Sequence, residues 1–183
     1  CLIEKLPEKK IQEKIIMKSN SRIYAAIHMD ALEQNLENMR KNLTPGTKMI
    51  GVIKANAYGH DDKAVCLKLQ ELGVKYYGVS NLWEGEKLRC HGITGTILTF
   101  GYTDEDYFDE LLEYGITQTA GSVQYAKQLS DYAVSKGVKL PVHIKVNTGM
   151  TRVGIDSQQE MLDILAMPGL DCKAAYTHFA AAD

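Results

Sequence analysis

The sequence lacks any apolar run that approaches the roughly 18 residues needed to cross a bilayer, so no segment is predicted to be transmembrane. It also lacks a basic patch, and its formal net charge of -2 gives no indication of a nucleic-acid partner. The four cysteines are scattered and form no Cys-x-x-Cys pair: Cys1, Cys66, Cys90 and Cys172. Free thiols in a reducing cytoplasm are therefore predicted in preference to disulfides or a metal site.

The chain begins at Cys1 and not at a methionine, which indicates that it is cut or processed from a longer polypeptide. Residues 1–20 mix charges of both signs with a few aliphatic side chains. We predict a leader or linker there, either a short surface helix or a linker that leaves a membrane domain. Residues 21–183 are predicted to form the folded domain.

Strand and helix patterns alternate along this domain. An amphipathic helix is predicted over 30–43, with Asp30 as its N-cap and an apolar face of Leu32, Leu36, Met39 and Leu43. Strands are then predicted near 49–53, 76–80, 96–100, 116–119, 142–147 and 172–177, and helices near 61–72, 82–91, 104–114, 122–136 and 156–166. Three glycines follow helices as C′ residues do, namely Gly73, Gly115 and Gly137.

This order predicts the α/β class with parallel strands, because each strand and helix together take the length of a βα unit. Six such units indicate a (β/α)8 TIM barrel. A complete barrel takes about 250 residues, so we expect the 183-residue chain to be truncated after about six strands.

Lys54 directly follows the apolar run Met49 to Ile53, which predicts a buried strand. The carboxyl ends of parallel strands are where barrels bind ligands, and a lysine amine there is available for Schiff-base formation. A lysine that only extends into solvent from a strand tip is the structural alternative.

A second informative stretch is Val142–Gly154. Its strand alternates apolar residues with His143, Lys145 and Asn147, and such a polar face is unusual in a buried parallel sheet. Two glycines then bracket a loop that carries Arg152. An edge strand with a solvated face is the alternative interpretation.

Lys54-Ala-Asn-Ala-Tyr58-Gly-His60, the passage around Arg152 and Thr177-His178-Phe179-Ala180 together resemble motifs of the alanine racemase family. The resemblance extends over about residues 22–183. It implies that Lys54 is the catalytic lysine that carries pyridoxal 5′-phosphate (PLP). It further implies cofactor contacts for Lys54, Tyr58, Arg152 and His178, and contact with the substrate carboxylate for Arg152. Phe100, at the end of the third predicted strand, is a further candidate for packing against the cofactor ring.

The family's lysine at the position of Lys145 is usually carbamylated and braces the arginine. At an effective dielectric near 20, two cations about 4 Å apart repel by about 4 kcal/mol, and carbamylation replaces that repulsion with a charge-assisted hydrogen bond. Two residues depart from the family pattern. Asn147 stands where the family usually has aspartate, and Asp61 stands where it usually has glycine.

The resemblance implies a PLP-dependent isomerase, most simply an alanine racemase that interconverts L- and D-alanine for peptidoglycan. Its partners would be a small amino-acid substrate and a second subunit in a homodimer, in the cytoplasm. The family's second base is a tyrosine of a C-terminal β-domain supplied by the partner subunit. Since that domain is absent from the sequence, the 183-residue chain alone is predicted to be inactive.

Three alternatives remain open from the sequence. The chain could be a serine or alanine racemase domain on the cytoplasmic side of a membrane-anchored protein of the vancomycin-resistance type. It could be a non-catalytic PLP-binding barrel. It could also be a barrel scaffold that binds no ligand.

Overall fold

A computed structural model describes residues 25–181, so the leader or linker predicted over 1–20 lies outside the described residues. The helices are α1 (Met29–Lys41), α2 (Asp62–Glu71), α3 (Leu82–Cys90), α4 (Phe108–Glu113), α5 (Val123–Ser135) and α6 (Gln158–Leu165), with a 3-10 helix at Glu105–Tyr107. The strands are β1 (Ile50–Val52), β2 (Tyr76–Val79), β3 (Thr96–Thr99), β4 (Ile116–Ala120), β5 (Leu140–Val146) and β6 (Leu170–Thr177). Among residues 25–181, no helix is both long enough and apolar enough to cross a membrane.

The six strands form one parallel sheet in the order β1-β2-β3-β4-β5-β6. Each strand pairs with the next one along the chain, and a helix lies between consecutive strands. This is the arrangement of a (β/α)8 barrel over six of its strands, so the predicted fold class is confirmed. In such a sheet all carboxyl ends of the strands meet at one edge, where barrel proteins hold their sites.

The core lies between the sheet and its helices, and the middle of the sheet is buried on both faces. All five residues of β4 are buried. Five of the largest fully buried side chains come from the strands, namely Tyr77, Ile97, Ile116, Leu140 and Ile144. Near-continuous burial is what parallel strands covered by crossover helices require. The sheet is therefore a rigid base for side chains at its carboxyl edge.

Capping residues at the helix ends have the conformations that their residue types favour. Ser122 and Ser157 cap α5 and α6 through their side chains, and Ser157 forms a complete capping box with Glu160. The three predicted C′ glycines adopt positive φ, at Gly73 (81°), Gly115 (57°) and Gly137 (68°).

Several local features differ from what the sequence predicts. The strand predicted to be buried at 49–53 is not, since Ile50 is 44% exposed and Val52 is 39% exposed, and among the described strands β1 pairs only with β2. Asp30 does not cap α1, because His28 occupies the N-cap and Asp30 lies in the first turn, where its charge still favours the helix dipole. The predicted apolar face is only partly buried, since Met39 is 55% exposed and Leu43 is 37% exposed. The helix predicted over 104–114 begins as a 3-10 turn, with Asp104 accepting a hydrogen bond from the Asp106 amide. The edge-strand alternative for β5 also fails, since β5 pairs with both β4 and β6.

Candidate active site

A cavity of about 370 Å³ opens at the carboxyl ends of the strands. Its volume lies within the usual range of small-molecule sites, roughly 300 to 1,000 Å³. Every candidate site residue from the sequence lines it: Lys54, Tyr58, Phe100, Lys145, Arg152 and His178. Residues from distant parts of the chain thus converge on one space.

Lys54 stands at the start of an unusual turn. Residues 55–58 all have positive φ, between 51° and 55°, which makes Lys54–Gly59 a left-handed turn. For residues with a side chain, this conformation costs roughly 1–2 kcal/mol each, or about 4–8 kcal/mol for four. Lys54 is half-buried, and its Nζ lies 5.8 Å from the centre of the Tyr58 ring. Backbone strain on this scale persists only where surrounding contacts hold it.

Glu84 of α3 supplies one of those contacts. One carboxylate oxygen accepts a hydrogen bond from the Ala55 amide at 2.8 Å, and the other accepts from the Ser80 amide at 2.7 Å. The residue after Lys54 is thereby tied to the end of β2. Inside the turn, the Asn56 side chain accepts from the Asp62 amide at 3.0 Å, and Ala57 is buried.

Asp61 follows the turn, at the position where the family usually has glycine. Its φ is +69°, a region where glycine is favoured over residues with a side chain. Its carboxylate in turn caps α2 by accepting a hydrogen bond from the Ala64 amide at 2.9 Å. Aspartate therefore combines an unfavourable backbone conformation with a favourable cap.

Lys145 projects from β5 into the barrel interior and is 7% exposed. Its Nζ lies 5.1 Å from the centre of the Tyr176 ring, a cation–π geometry. Burial lowers the pKa of the Lys145 ammonium, and the charge of Arg152 lowers it further. Among the described residues, no carboxylate forms a salt bridge with Lys145. Both effects shift the Lys145 equilibrium toward the neutral amine.

Aromatic and hydroxyl side chains form the floor beneath Lys145. The Tyr176 and Thr119 hydroxyls are 2.9 Å apart, and Thr119 Oγ1 donates to the Thr99 carbonyl at 2.6 Å. The Phe100 ring lies 6.0 Å from that of Tyr176 and covers Gly78. A Cβ at Gly78 would lie 2.4 Å from Phe100 Cζ, so only glycine admits the ring there.

Arg152 lies in the loop after β5 and is exposed at the mouth of the cavity. His178 follows β6 and is also exposed along the cavity wall. A guanidinium and an imidazole therefore face the same space as the Lys54 amine. This set of groups can bind an anionic molecule that also carries an aldehyde.

Several residues of the site escaped the sequence analysis. The spacing Asn81-x-x-Glu84 resembles a capping box and could have indicated Glu84, but its carboxylate bonds to the amides of Ser80 and Ala55 instead. Tyr176 directly precedes the Thr177–Ala180 motif, but nothing in the sequence indicated its pairing with Thr119, since the two hydroxyls meet only in the folded sheet.

The fold and the cavity define a class, an α/β-barrel domain whose strand ends hold a lysine, an arginine and a histidine around one small-molecule site. Comparison with known proteins then assigns the family. The model of "Alanine racemase, N-terminal domain" matches residues 27–183. This chain belongs to the alanine racemase family and corresponds to its N-terminal domain.

The alanine racemase of Clostridium perfringens SM101 is 36% identical over 88% of this chain and 42% of its own length. Alanine racemase 1 of Bacillus subtilis 168 is 34% identical over 87% of this chain and 42% of its own length. A structure of alanine racemase from Clostridium difficile 630 with cycloserine superposes with a TM-score of 0.85 at 37% identity, covering 90% of this chain and 46% of that one. A histidine racemase from Leuconostoc mesenteroides gives a TM-score of 0.76 at 28% identity, covering 84% and 42%. The chain thus spans less than half the length of these relatives.

Proposed function

We infer that this chain is the PLP-binding part of an amino-acid racemase, with alanine as the simplest substrate. The observation that carries the proposal is the convergence of Lys54 and Arg152 on one cavity in a chain of the alanine racemase family. The Lys54 amine suits an aldehyde cofactor that can carry the amino group of a substrate, and the Arg152 guanidinium suits the carboxylate of the same substrate.

The side chains present fit PLP. Lys54 offers an amine for the aldehyde, and Phe100 offers an aromatic face for the ring. Tyr58 is 60% exposed, and its hydroxyl can donate a hydrogen bond to an anionic group. We assign Lys54, Tyr58, Phe100, Arg152 and His178 as the residues that would hold the cofactor.

PLP, when bound, supplies an electron sink that acidifies the proton on the substrate Cα. The protein has to bind the substrate carboxylate, keep Cα oriented and move that proton. We assign the carboxylate to Arg152 and the proton on one face to Lys54 Nζ, acting as general base. The base on the opposite face is proposed to lie outside residues 25–181, in a C-terminal β-domain supplied by the second subunit of a homodimer.

We propose that Lys145 is carbamylated. Its burial and the charge of Arg152 lower its pKa, which increases the fraction of neutral amine, the nucleophile that carbamylation requires. The amine nitrogen bonds to the carbon of CO2 and releases one proton to solvent, leaving a carbamate anion. That anion could accept hydrogen bonds from Arg152, whose charge acts on Lys145. Incorporation of carbon-13 bicarbonate, detected by NMR and lost in Lys145→Gln, would support the assignment.

The domain boundary at residue 21 and the cytoplasmic location remain proposals. Within residues 25–181 the cysteines are free thiols, which suits a reducing compartment: Cys66, Cys90 and Cys172. Alanine is favoured as substrate by the names of most relatives. Another amino acid is the second candidate, since a neighbour of the same fold is named a histidine racemase.

The test is borohydride reduction of the complete gene product with PLP, followed by peptide mapping and by racemase assays with L-alanine, L-serine and L-histidine. We expect the pyridoxyl group on the peptide that contains Lys54, and no labelling after Lys54→Ala. Lys48→Ala is the matched control, because Lys48 precedes β1 and stacks on Tyr76 away from the cavity. Labelling at another residue would refute the site. Labelling at Lys54 without racemisation of any amino acid would favour a non-catalytic PLP-binding barrel.

A further inference from the structure

The Asn147 side chain makes three hydrogen bonds at the base of the loop that carries Arg152. Its Oδ1 accepts from the amides of Gly149 at 3.1 Å and Thr151 at 2.9 Å. Its Nδ2 donates to Asp156 Oδ1 at 2.6 Å. The orientation of the amide follows from its partners, because backbone N–H groups require an oxygen and a carboxylate requires the NH2.

The loop is a closed unit that returns to the strand it leaves. The backbone N–H of Asn147 donates to the Ile155 carbonyl at 2.9 Å, and the backbone N–H of Ile155 donates to the Lys145 carbonyl at 2.9 Å. Between these points Thr151 holds a φ of +52°, which is unfavourable for a β-branched residue. The Asn147–Thr151 bond therefore secures a strained position next to Arg152.

The pairing also explains why an amide suits position 147, where the family usually has aspartate. A carboxylate there would lie against the Asp156 carboxylate, at a separation where the two share a proton or repel. The backbone at Asp156 is held just before α6, because its N–H donates to Glu160 Oε2 at 2.9 Å. Amide and carboxylate are thus matched across the ends of the loop.

We propose that Asn147 and Asp156 form an amide–carboxylate brace that positions Arg152 at the mouth of the cavity. Both are positioning residues, since neither lines the cavity. The brace links the end of β5 to the start of α6, and Asn147 Oδ1 also accepts hydrogen bonds from two backbone amides of the loop between them. The inference deepens the proposed function and rests on it for the role of Arg152 toward the substrate carboxylate.

The charge arrangement allows a test by exchange of the two residues in the complete gene product. Asn147→Asp should break the brace. Asp156→Asn should largely keep it, because an amide oxygen still accepts from Asn147 Nδ2. The double variant should restore it with the polarity of the bridge reversed, because a carboxylate at position 147 can accept from an amide at position 156 and from the two loop amides. Asn42→Asp at the end of α1 is the control for the added charge.

The first readout is hydrogen exchange of the 148–154 peptide in protein without cofactor. In Asn147→Asp we expect exchange about tenfold faster, the effect of losing a charge-assisted hydrogen bond, with recovery to within about threefold in the double variant. Unchanged exchange in Asn147→Asp, or no recovery in the double variant, would overturn the brace.

The second readout is the amino-acid KM and kcat. Misplacement of Arg152 should raise KM about tenfold in Asn147→Asp with a smaller change in kcat, and the double variant should recover. Recovery of exchange with KM unaffected throughout would overturn the positioning of Arg152. Absence of racemisation by the wild-type protein would refute the proposed function, while the exchange readout would still decide on the brace.

Discussion

Glu84→Gln is the change expected to loosen the left-handed turn that presents Lys54. The carboxylate accepts from two backbone amides, at 2.8 Å and 2.7 Å, and hydrogen bonds to a charged group contribute about 1.5–3 kcal/mol each. Glutamine keeps one acceptor oxygen but turns an NH2 group toward the other amide. Because Glu84 is only half-buried and water can replace part of the loss, we expect a local destabilisation of about 2 kcal/mol.

That loss matters because the turn carries about 4–8 kcal/mol of left-handed strain, which the remaining contacts of Asn56 and Ala57 must then offset. The assay is hydrogen exchange of the 53–60 peptide in the complete gene product. A cost of about 2 kcal/mol corresponds to exchange about 30-fold faster. The fraction of Lys54 labelled by PLP and borohydride should fall in parallel.

Glu86→Gln is the matched control, since it removes the same charge from the same helix. Among residues 25–181 the Glu86 carboxylate accepts a hydrogen bond only from the Tyr114 hydroxyl, at 3.2 Å. Exchange and labelling should remain at wild-type levels there. If Glu84→Gln behaved like Glu86→Gln in both measurements, the reasoning that the carboxylate holds the turn would be refuted.

Three further predictions concern residues around the site. Asp61→Gly should raise the free energy of unfolding by about 0.5 kcal/mol, because relief of backbone strain at φ +69° exceeds the few tenths of a kcal/mol lost with the helix cap. Asp61→Ala should lower the free energy of unfolding by about 1 kcal/mol, since alanine loses the cap and keeps the strain; equal values for the two variants would contradict this. Gly78→Ala should cost about 1–3 kcal/mol by pushing Phe100 into the cavity, and a thermal-unfolding cycle with Phe100→Leu should recover most of that cost. Burial raises the pKa of Tyr125 to about 12 from 10.0. The neutral phenol therefore contributes fully to the free energy of unfolding below pH 10, and this contribution is lost as the pH rises toward 12. Denaturant midpoints should fall over that interval, and less so in Tyr125→Phe.

Much of the site could be predicted because its residues follow strands directly. Lys54 comes after β1 and His178 after β6, and in a parallel sheet such positions share an edge. Glu84 and Asn147 show where this reasoning ends. Their partners are backbone amides whose directions are set by the left-handed turn and by the loop after β5, and residue types do not report those directions.

The amino-acid sequence alone determined the order of six strands and their helices, since the period of apolar residues and the position of glycines are local properties. It also determined which chemical groups stand at strand ends. Only the tertiary structure decided how those groups are held. The tie from Glu84 to the Lys54 turn, the contact of Lys145 with the Tyr176 ring and the bridge from Asn147 to Asp156 all depend on three-dimensional packing, where burial and backbone direction set each interaction.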